Sequence, residues 1–185
     1  MRIGQAFRHP DAQTAKRILC AIIQEEGGKL DGKVRLYKAF YWAHLSYFQK
    51  FSGVLSEYPM ARMPQGPGID HGEDLIFELQ AEGLISVEET PIPGRNPEMS
   101  FRLTAGFKVN ATDEEMEAIR DGVAKIRGKT GTQVSAETHE CSRVWNRKRD
   151  GQILNIYEDL LTEDEYECAK NADQEVKAVL DGIFG

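Results

Sequence analysis

Long apolar runs, clustered cysteines and a leader-like start are all missing from this sequence of 185 residues. No apolar stretch approaches the ~20 residues that a membrane-spanning helix needs, and the opening segment MRIGQAFRHP lacks the apolar core of a secretory signal. The three cysteines, Cys20, Cys141 and Cys168, are odd in number and far apart, which argues against a disulfide framework. We therefore expect a cytoplasmic protein with no membrane association. Cys20 falls on an apolar helical face, which predicts a buried thiol.

Enzyme signatures are also missing. The sequence has no Walker loop and no dinucleotide fingerprint. Its histidines show no HxxxH or HExxH spacing, which argues against a metal site; they are His9, His44, His71 and His139. The segment THEC places His139 close to Cys141, but catalytic Cys and His meet in space and nothing here supplies a third member. We predict a protein that is not an enzyme and uses no cofactor or metal, with a hydrolase based on Cys141 or His139 as an alternative.

The negative charge of the chain is concentrated at one end. The formal net charge is −7, and nine acidic residues against two lysines lie between Tyr157 and Gly185. The remainder of the chain is therefore neutral. An acidic end repels nucleic acid and attracts basic surfaces. A solvated helix face explains the same pattern, so both interpretations stay open at this point.

Hydrophobic periodicity predicts a mainly helical chain. A first helix carries apolar residues from Ala15 to Ile23 and stops at Gly27. A second, over residues 31–51 with Asp31 as its cap, is apolar around most of its circumference, which is typical of a helix at the centre of a fold. His44 in that helix is isolated from other ligand types and is interpreted as a core or rim histidine. Further helical signals are His71–Glu82 with Asp70 as cap, Thr132–Glu140, the capping boxes Thr112/Glu115 and Thr162/Glu165, and a last helix carrying Tyr166, Ala169, Val176, Val179 and Leu180.

Two strand-like runs, LISVEE (84–89) and MSFRLT (99–104), flank the turn-rich segment TPIPGRNP. They predict a β-hairpin with a long tip. A helix followed by such a hairpin resembles part of a winged-helix module, which makes DNA binding the alternative function.

The charge distribution opposes that alternative. The basic, turn-like stretch from Arg143 to Arg149 surrounds Trp145 and is the one candidate nucleic-acid patch, while the hairpin tip offers only Arg95. The helix that would enter the groove has no Lys or Arg and carries Glu73, Asp74, Glu78 and Glu82. Such a helix would face phosphates, against the electrostatic attraction that dominates DNA affinity. The basic stretch is equally well explained as an internal partner of the acidic C-terminal end.

The segment MPQGPG (63–68) lies in a predicted linker over residues 53–69. Pro67 lacks an N–H, whereas Gly66 and Gly68 can adopt φ values that other residues avoid. The segment is too short and too rich in proline to cradle phosphate with successive N–H groups. It is either a plain corner or a rigid loop presented to a protein partner.

Taken together, three segments resemble the Panacea domain, also called the SocA-like antitoxin domain. The first is the aromatic helix with Lys33, Leu36, Tyr37, Ala39, Tyr41, Trp42 and Leu45, followed by Gly53. The second is the Gly66–Pro67 loop leading into a helix with Leu75, and the third contains Ser135, Glu137, His139 and Trp145. The resemblance covers residues 12–165. Gln65 stands where the family usually has an aromatic residue, and Gly68 where it usually has valine.

This resemblance implies a protein that binds and neutralises a cognate toxin, with a protease or chaperone as a further partner. Combined with the periodicity, it predicts a mainly α fold with a small β-hairpin (α+β): five to seven helices around the aromatic helix, in a domain over residues 1–165 with an acidic C-terminal helix over 166–185. No nucleic-acid or membrane partner is expected. The expected partner-binding residues are Pro64, Gln65, Gly66, Pro67, Gly68, His71, His139, Arg143, Trp145 and Arg147.

Overall fold

The structure is a computed structural model that describes residues 9–94 and 97–184, with side chains through residue 174. Seven α-helices lie in these ranges: α1 (Ala12–Glu25), α2 (Lys33–Phe51), α3 (Gly72–Ala81), α4 (Asp113–Ile126), α5 (Gly131–Cys141), α6 (Arg143–Arg147) and α7 (Glu163–Phe184). Six strands accompany them: β1 (Lys29–Asp31), β2 (Met60–Met63), β3 (Gly66–Ile69), β4 (Ile85–Thr90), β5 (Glu98–Leu103) and β6 (Ile153–Leu154). A 3₁₀ helix spans Ile156–Leu160. The predicted α+β class and helix number are confirmed.

Helix α2 is the centre of the core, as its aromatic composition predicts. Phe40 and Tyr41 are fully buried. Helix α4 packs directly on α2 because Gly122 has no side chain: a Cβ there would overlap the carbonyl oxygen of Ala39 and lie 2.8 Å from the nitrogen of Ala43. His44 is buried and its Nδ1 lies 2.8 Å from the Phe40 carbonyl oxygen. The interpretation of this histidine as a core residue is confirmed, and burial lowers its pKa to about 4.

The predicted hairpin is confirmed as β4 and β5, and a third strand extends it. The antiparallel order is β1–β5–β4, with Leu30 opposite Phe101 and Ile85 opposite Leu103. Helix α3 precedes β4, so the winged-helix-like helix–hairpin segment is present. Arg95, expected at its tip, lies outside the described residues.

The second sheet was not predicted. The segment read as a linker contains strands β2 and β3, which pair antiparallel with Met63 opposite Gly66. Strand β6 pairs with the other side of β2. Pro67 is accommodated because β3 is an edge strand in the order β3–β2–β6, where a missing N–H leaves no ladder bond unmade. The expectation of a single hairpin, and of a loop at MPQGPG, is therefore wrong.

Two predicted caps are wrong, and the others are confirmed. Asp31 lies in β1, where its carboxylate accepts a hydrogen bond from Ser100 Oγ at 2.5 Å, and α2 begins after Gly32 instead. Asp70 lies before the N-cap of α3, which is His71 in the left-handed conformation (φ 48°). The capping boxes at Thr112/Glu115 and Thr162/Glu165 are present.

The C-terminal part differs from prediction at the basic stretch. Residues 143–147 form helix α6 rather than a turn. Helix α7 begins at Glu163, so the domain division expected after residue 165 falls in its first turn. The side chains of Val176, Val179 and Leu180 lie outside the described ones. None of the described helices is both long and apolar enough to cross a membrane.

Candidate protein-binding site

Three side chains hold the β2–β3 hairpin by alternate backbone carbonyls. Trp145 Nε1 donates to the Met63 oxygen at 2.8 Å, and Ser135 Oγ donates to the Gln65 oxygen at 2.9 Å. Lys38 Nζ donates to the Pro67 oxygen at 2.6 Å. Met63 lies on β2, Gln65 in the turn and Pro67 on β3, so the three bonds hold both strands and the tip of the hairpin. The three segments singled out in the sequence therefore meet at this hairpin.

The glycines of MPQGPG allow this close contact. Gly66 has φ +98°, and a Cβ there would lie 2.6 Å from Thr138 Oγ1 and 2.7 Å from Lys38 Nζ. A Cβ on Gly68 would overlap the sulfur of Met63, whose side chain fills the space. The positive φ of Gly66 disfavours any other residue there, whereas a Cβ on Gly68 would require the Met63 side chain to move.

The residues of MPQGPG differ in how far they are exposed. Gly66, Pro67 and Gly68 are buried against the protein's own helices, whereas Pro64 and Gln65 are exposed at the tip. Gly66 and Gly68 nevertheless line the cleft described below, so the expectation that these residues contact a partner stays a prediction. The Gly-Pro-Gly part anchors the hairpin, and the hairpin exposes its tip, Pro64 and Gln65, to solvent.

Trp145 is the centre of a stack beside the hairpin. The His139 ring lies parallel to it at 3.9 Å with an interplanar angle of 8°, and the Arg62 guanidinium lies 4.3 Å from the indole centroid. Burial lowers the pKa of His139, and the positive charges of Lys38 and Arg62 lower it further. His139 is therefore neutral at neutral pH. Trp145 is buried, so His139 and Trp145 support the hairpin more than they form its surface.

Arg143 and Arg147 are engaged within the chain. Their guanidinium groups lie 3.2 and 3.4 Å from the carboxylate of Glu163 at the start of α7. Arg147 also stacks over Tyr166, with its guanidinium carbon 3.9 Å from the ring centroid. These contacts favour the interpretation of the basic stretch as an internal partner of the acidic end.

A cleft of about 560 Å³ lies between α2, the hairpin and the start of α3. Lys38 and Tyr37 line it from α2, Gly68 from β3, and His71 and Gly72 from the start of α3. His71 is exposed at its rim, and its Nδ1 lies 3.3 Å from the carboxylate of Asp74.

Lys38 is an unusual residue to find in this cleft. It is 2% exposed, and no carboxylate of the described residues lies within 4 Å of its ammonium. Burial lowers the pKa of Lys38 to about 7. Lys16, also 2% exposed, contacts both Glu78 and Glu82; burial lowers its pKa, but these carboxylates outweigh that effect and the net shift is upward. Lys38 is therefore a buried cation without a counter-ion.

A longer groove of about 900 Å³ continues from the cleft toward the β4–β5 hairpin. The two cavities share Lys33, Val34, Gln65 and Glu73, so the hairpin tip stands at their junction. Phe77 of α3 also lines the groove and is 71% exposed. An exposed aromatic side chain in a concave surface is typical of a protein-binding site.

The groove carries uncompensated negative charge at its β-hairpin end. Glu89 and Glu98 line it and form no ion pair with the described residues. Two of the acids that opposed DNA binding in the sequence, Glu78 and Glu82, turn out to hold Lys16.

The pair His139 and Cys141 does not form a nucleophilic site. His139 packs on Trp145, whereas Cys141 lines a separate cavity with Trp42 and Asp159. Cys141 is exposed as a residue, but partial burial of its sulfur, with the nearby Asp159 charge, raises its pKa to about 11, which disfavours the thiolate that nucleophilic chemistry needs. Among the described residues, no group of three or more His, Cys, Asp or Glu side chains is arranged to hold a metal ion.

Comparison with protein-family models, with characterised proteins and with solved structures found no match to this chain. Function is therefore inferred from the geometry above and from the resemblance of the three segments. Sequence inspection missed Lys38, Arg62 and Phe77. For Lys38 a signal was present: it precedes Tyr41 and Leu45 at i+3 and i+7 on the buried face of α2, where a lone lysine is out of place.

Proposed function

We propose that this chain is an antitoxin-like protein that neutralises a cognate toxin by direct contact. The observation that carries the proposal is the position of the hairpin tip. Pro64 and Gln65 are exposed at the junction of the cleft and the groove, while the strand behind them is anchored by Lys38, Ser135 and Trp145. A tip fixed before binding loses little conformational entropy when a partner docks.

The chemistry of the groove supports a protein as the partner. Phe77 offers the apolar anchor that dominates many protein interfaces. Glu89 and Glu98 at the far end favour a partner segment that is basic there. A groove continuous with a cleft accommodates a peptide segment of several residues.

The resemblance to the Panacea domain supplies the biological class of the proposal. It implies that the partner is a small toxin encoded nearby, and that neutralisation occurs either by blockade or by delivery of the toxin to a protease. The two modes differ in the toxin's half-life. Blockade leaves the half-life of the toxin unchanged, whereas delivery shortens it when this chain is present.

The proposal is tested by expressing the product of the neighbouring open reading frame alone and together with this chain. Growth arrest by the neighbour alone, relief on co-expression and co-elution of the two proteins are the expected results. A harmless neighbour that forms no complex with this chain would end the antitoxin proposal.

The docking surface is tested with Phe77→Lys. Because the substitution removes an exposed anchor, we expect the affinity for the toxin to fall by about thirtyfold or more. Val54→Lys is the matched control, since Val54 is 48% exposed and lines neither cavity. Equal affinities of both variants and the parent protein would place the toxin elsewhere on the surface.

DNA binding is the second candidate, favoured by one observation. Helix α3 is followed by β4 and β5, with β1 beside β5, so a winged-helix-like arrangement is present. The exposed residues of α3 include Glu73 and Asp74, which oppose phosphate contact. A mobility shift with a steep salt dependence would support this candidate, and the absence of a shift at low salt would end it.

A further inference from the structure

The cleft beside the hairpin contains a lysine, Lys38, whose charge no described residue balances. At its rim Lys33 pairs with Glu73, and His71 lies 3.3 Å from Asp74. Among the described residues, the Pro67 carbonyl is the single hydrogen-bond acceptor of Lys38, although an ammonium has three donors. Buried charges in proteins are normally paired, so an anion is the missing partner.

A second polar group in the cleft also lacks a partner. The hydroxyl of Tyr37 is buried and makes no hydrogen bond within the part of the chain that the structure describes, and the residue is 6% exposed. The Tyr37 hydroxyl oxygen lies over the first turn of α3, since a Cβ on Gly72 would be 2.5 Å from that oxygen. A buried hydroxyl without a partner loses the hydrogen bonds it made to water. A ligand atom that accepts from Tyr37 would restore one of them.

We propose that this cleft receives an aspartate or glutamate side chain of the partner protein, with Lys38 as its counter-ion and Tyr37 as a second donor. This inference rests on the proposed function, and it names what the partner must bring. A carboxylate fits because it accepts several hydrogen bonds and carries the compensating charge. A side chain fits better than a chain end because the cleft continues into the groove, so a bound segment passes through both.

The other titratable groups around Lys38 do not provide its counter-ion. Burial lowers the pKa of His139, on α5, and the charge of Lys38 lowers it further, while Cys141 at the end of the same helix has a pKa of about 11. Neither group is an anion at pH 6, because an imidazole is neutral or positive and this thiol is protonated. Lys33, Glu73, His71 and Asp74 stand at the rim and are paired as described.

The test uses the isolated chain and short peptides, so it needs no toxin. The probes are acetyl-Gly-Glu-Gly-amide, the matched acetyl-Gly-Gln-Gly-amide and acetate. Binding of each probe is measured at pH 6 from the NMR chemical shifts of the Gly68 and Gly72 amides and of the Lys38 ε-methylene. We expect the Glu peptide to bind, to raise the pKa of Lys38, and to bind at least about tenfold more weakly to Lys38→Met. Tyr37→Phe, which removes only the unpartnered hydroxyl, should weaken binding severalfold with the fold intact.

Lys50→Met is the control, because Lys50 is on the same helix but lines neither the cleft nor the groove. It should bind the Glu peptide as the parent protein does. Equal binding of the Gln peptide, or of the Glu peptide to Lys38→Met, would overturn the assignment. Equal affinity for acetate and the Glu peptide would overturn it in favour of a small free carboxylate.

The outcomes for the two proposals are separable. If toxin binds the parent protein and Lys38→Met equally, the carboxylate site is refuted while the antitoxin proposal stands. If the Glu peptide binds as expected but the neighbouring protein forms no complex, the antitoxin proposal fails and the carboxylate site remains.

Discussion

Substituting Lys38 with methionine should change how the stability of the protein depends on pH. The pKa of Lys38 is about 7 in the folded protein against an ordinary value of 10.5. Below pH 7 both folded and unfolded states are protonated, so the folded state carries the whole cost of the buried ammonium. Between pH 7 and 10.5 the unfolded state binds more protons, so the free energy of unfolding rises with pH.

The size of the expected stability difference follows from the shift in the pKa of Lys38. A difference of about 3.5 pKa units corresponds to about 5 kcal/mol of destabilisation below pH 7. Methionine removes this cost but also removes the donor to the Pro67 carbonyl, which costs about 2 kcal/mol. Lys38→Met should therefore be more stable than the parent protein by about 3 kcal/mol at pH 6 and about equal to it at pH 9.

The assay is urea unfolding of both proteins from pH 6 to pH 9 at constant ionic strength with reductant present. Titrations of other groups are common to both proteins and cancel in the difference. Lys50→Met is the control. Carboxylates raise the pKa of exposed Lys50 above 10.5, so Lys50 is protonated in both the folded and the unfolded state from pH 6 to pH 9. The difference in the free energy of unfolding between Lys50→Met and the parent protein should therefore stay constant over this range. Parallel curves for Lys38→Met and the parent protein would refute the idea that this ammonium is desolvated.

Three further predictions concern packing and reactivity. Gly122→Ala should lower the free energy of unfolding, measured in urea, by about 2 kcal/mol or more, because a Cβ at this position overlaps α2. Gly131→Ala is the control and should be close to neutral, because its Cβ meets its nearest neighbour at an ordinary 3.5 Å. Equal effects of the two substitutions would contradict the packing argument. Trp145→Phe should lower the free energy of unfolding by about 1–3 kcal/mol and speed amide hydrogen exchange in β2 and β3, because one hairpin carbonyl loses its donor. Unchanged exchange rates would show that this hydrogen bond is dispensable. With a pKa of about 11 against an ordinary value of 9.0, Cys141 should be alkylated at pH 8 about a hundredfold more slowly in the native protein than in the urea-unfolded protein, because it holds about a hundredfold less thiolate. Mass spectrometry of the peptide that contains Cys141 gives both rates, and equal rates would revive a nucleophilic role.

The elements that sequence reasoning predicted well are those with long-range periodicity or local chemistry. Helix α2 buries an aromatic face over many residues, so the helical spacing of its apolar residues is recognisable although a few positions depart from it. The capping box of Thr112 involves only the residues of one turn. Strands β4 and β5 are flanked by strong turn signals and pair with each other, so little outside the hairpin was needed to identify them.

The second sheet could not be predicted in the same way. Strand β3 reads Gly66-Pro67-Gly68-Ile69, which has no alternation and three residues that disfavour strands. Its strand conformation depends on pairing with β2 and on donors from α2, α5 and α6. Those donors are up to 82 residues away in sequence. Turn chemistry therefore predicted a loop where tertiary contacts produce a strand.

The false caps have a related cause. Asp31 and Asp70 are both good N-cap types in suitable positions, but each helix starts later than the pattern indicates. Asp31 is held in β1 by its contact with Ser100, a residue of β5. A side chain with a stronger tertiary partner does not remain at the helix end.

By itself the sequence determined the mainly helical class, the central position of the aromatic helix, the β4–β5 hairpin and the segments that matter, because periodicity and turn chemistry act over a few residues. Only the tertiary structure decided that MPQGPG is a strand and a tip, that Gly66, Pro67 and Gly68 face inward, and that Lys38 is buried without a counter-ion. Burial and pairing depend on residues distant in sequence, and a lysine looks the same in sequence whether its ammonium reaches water, a carboxylate or a single carbonyl.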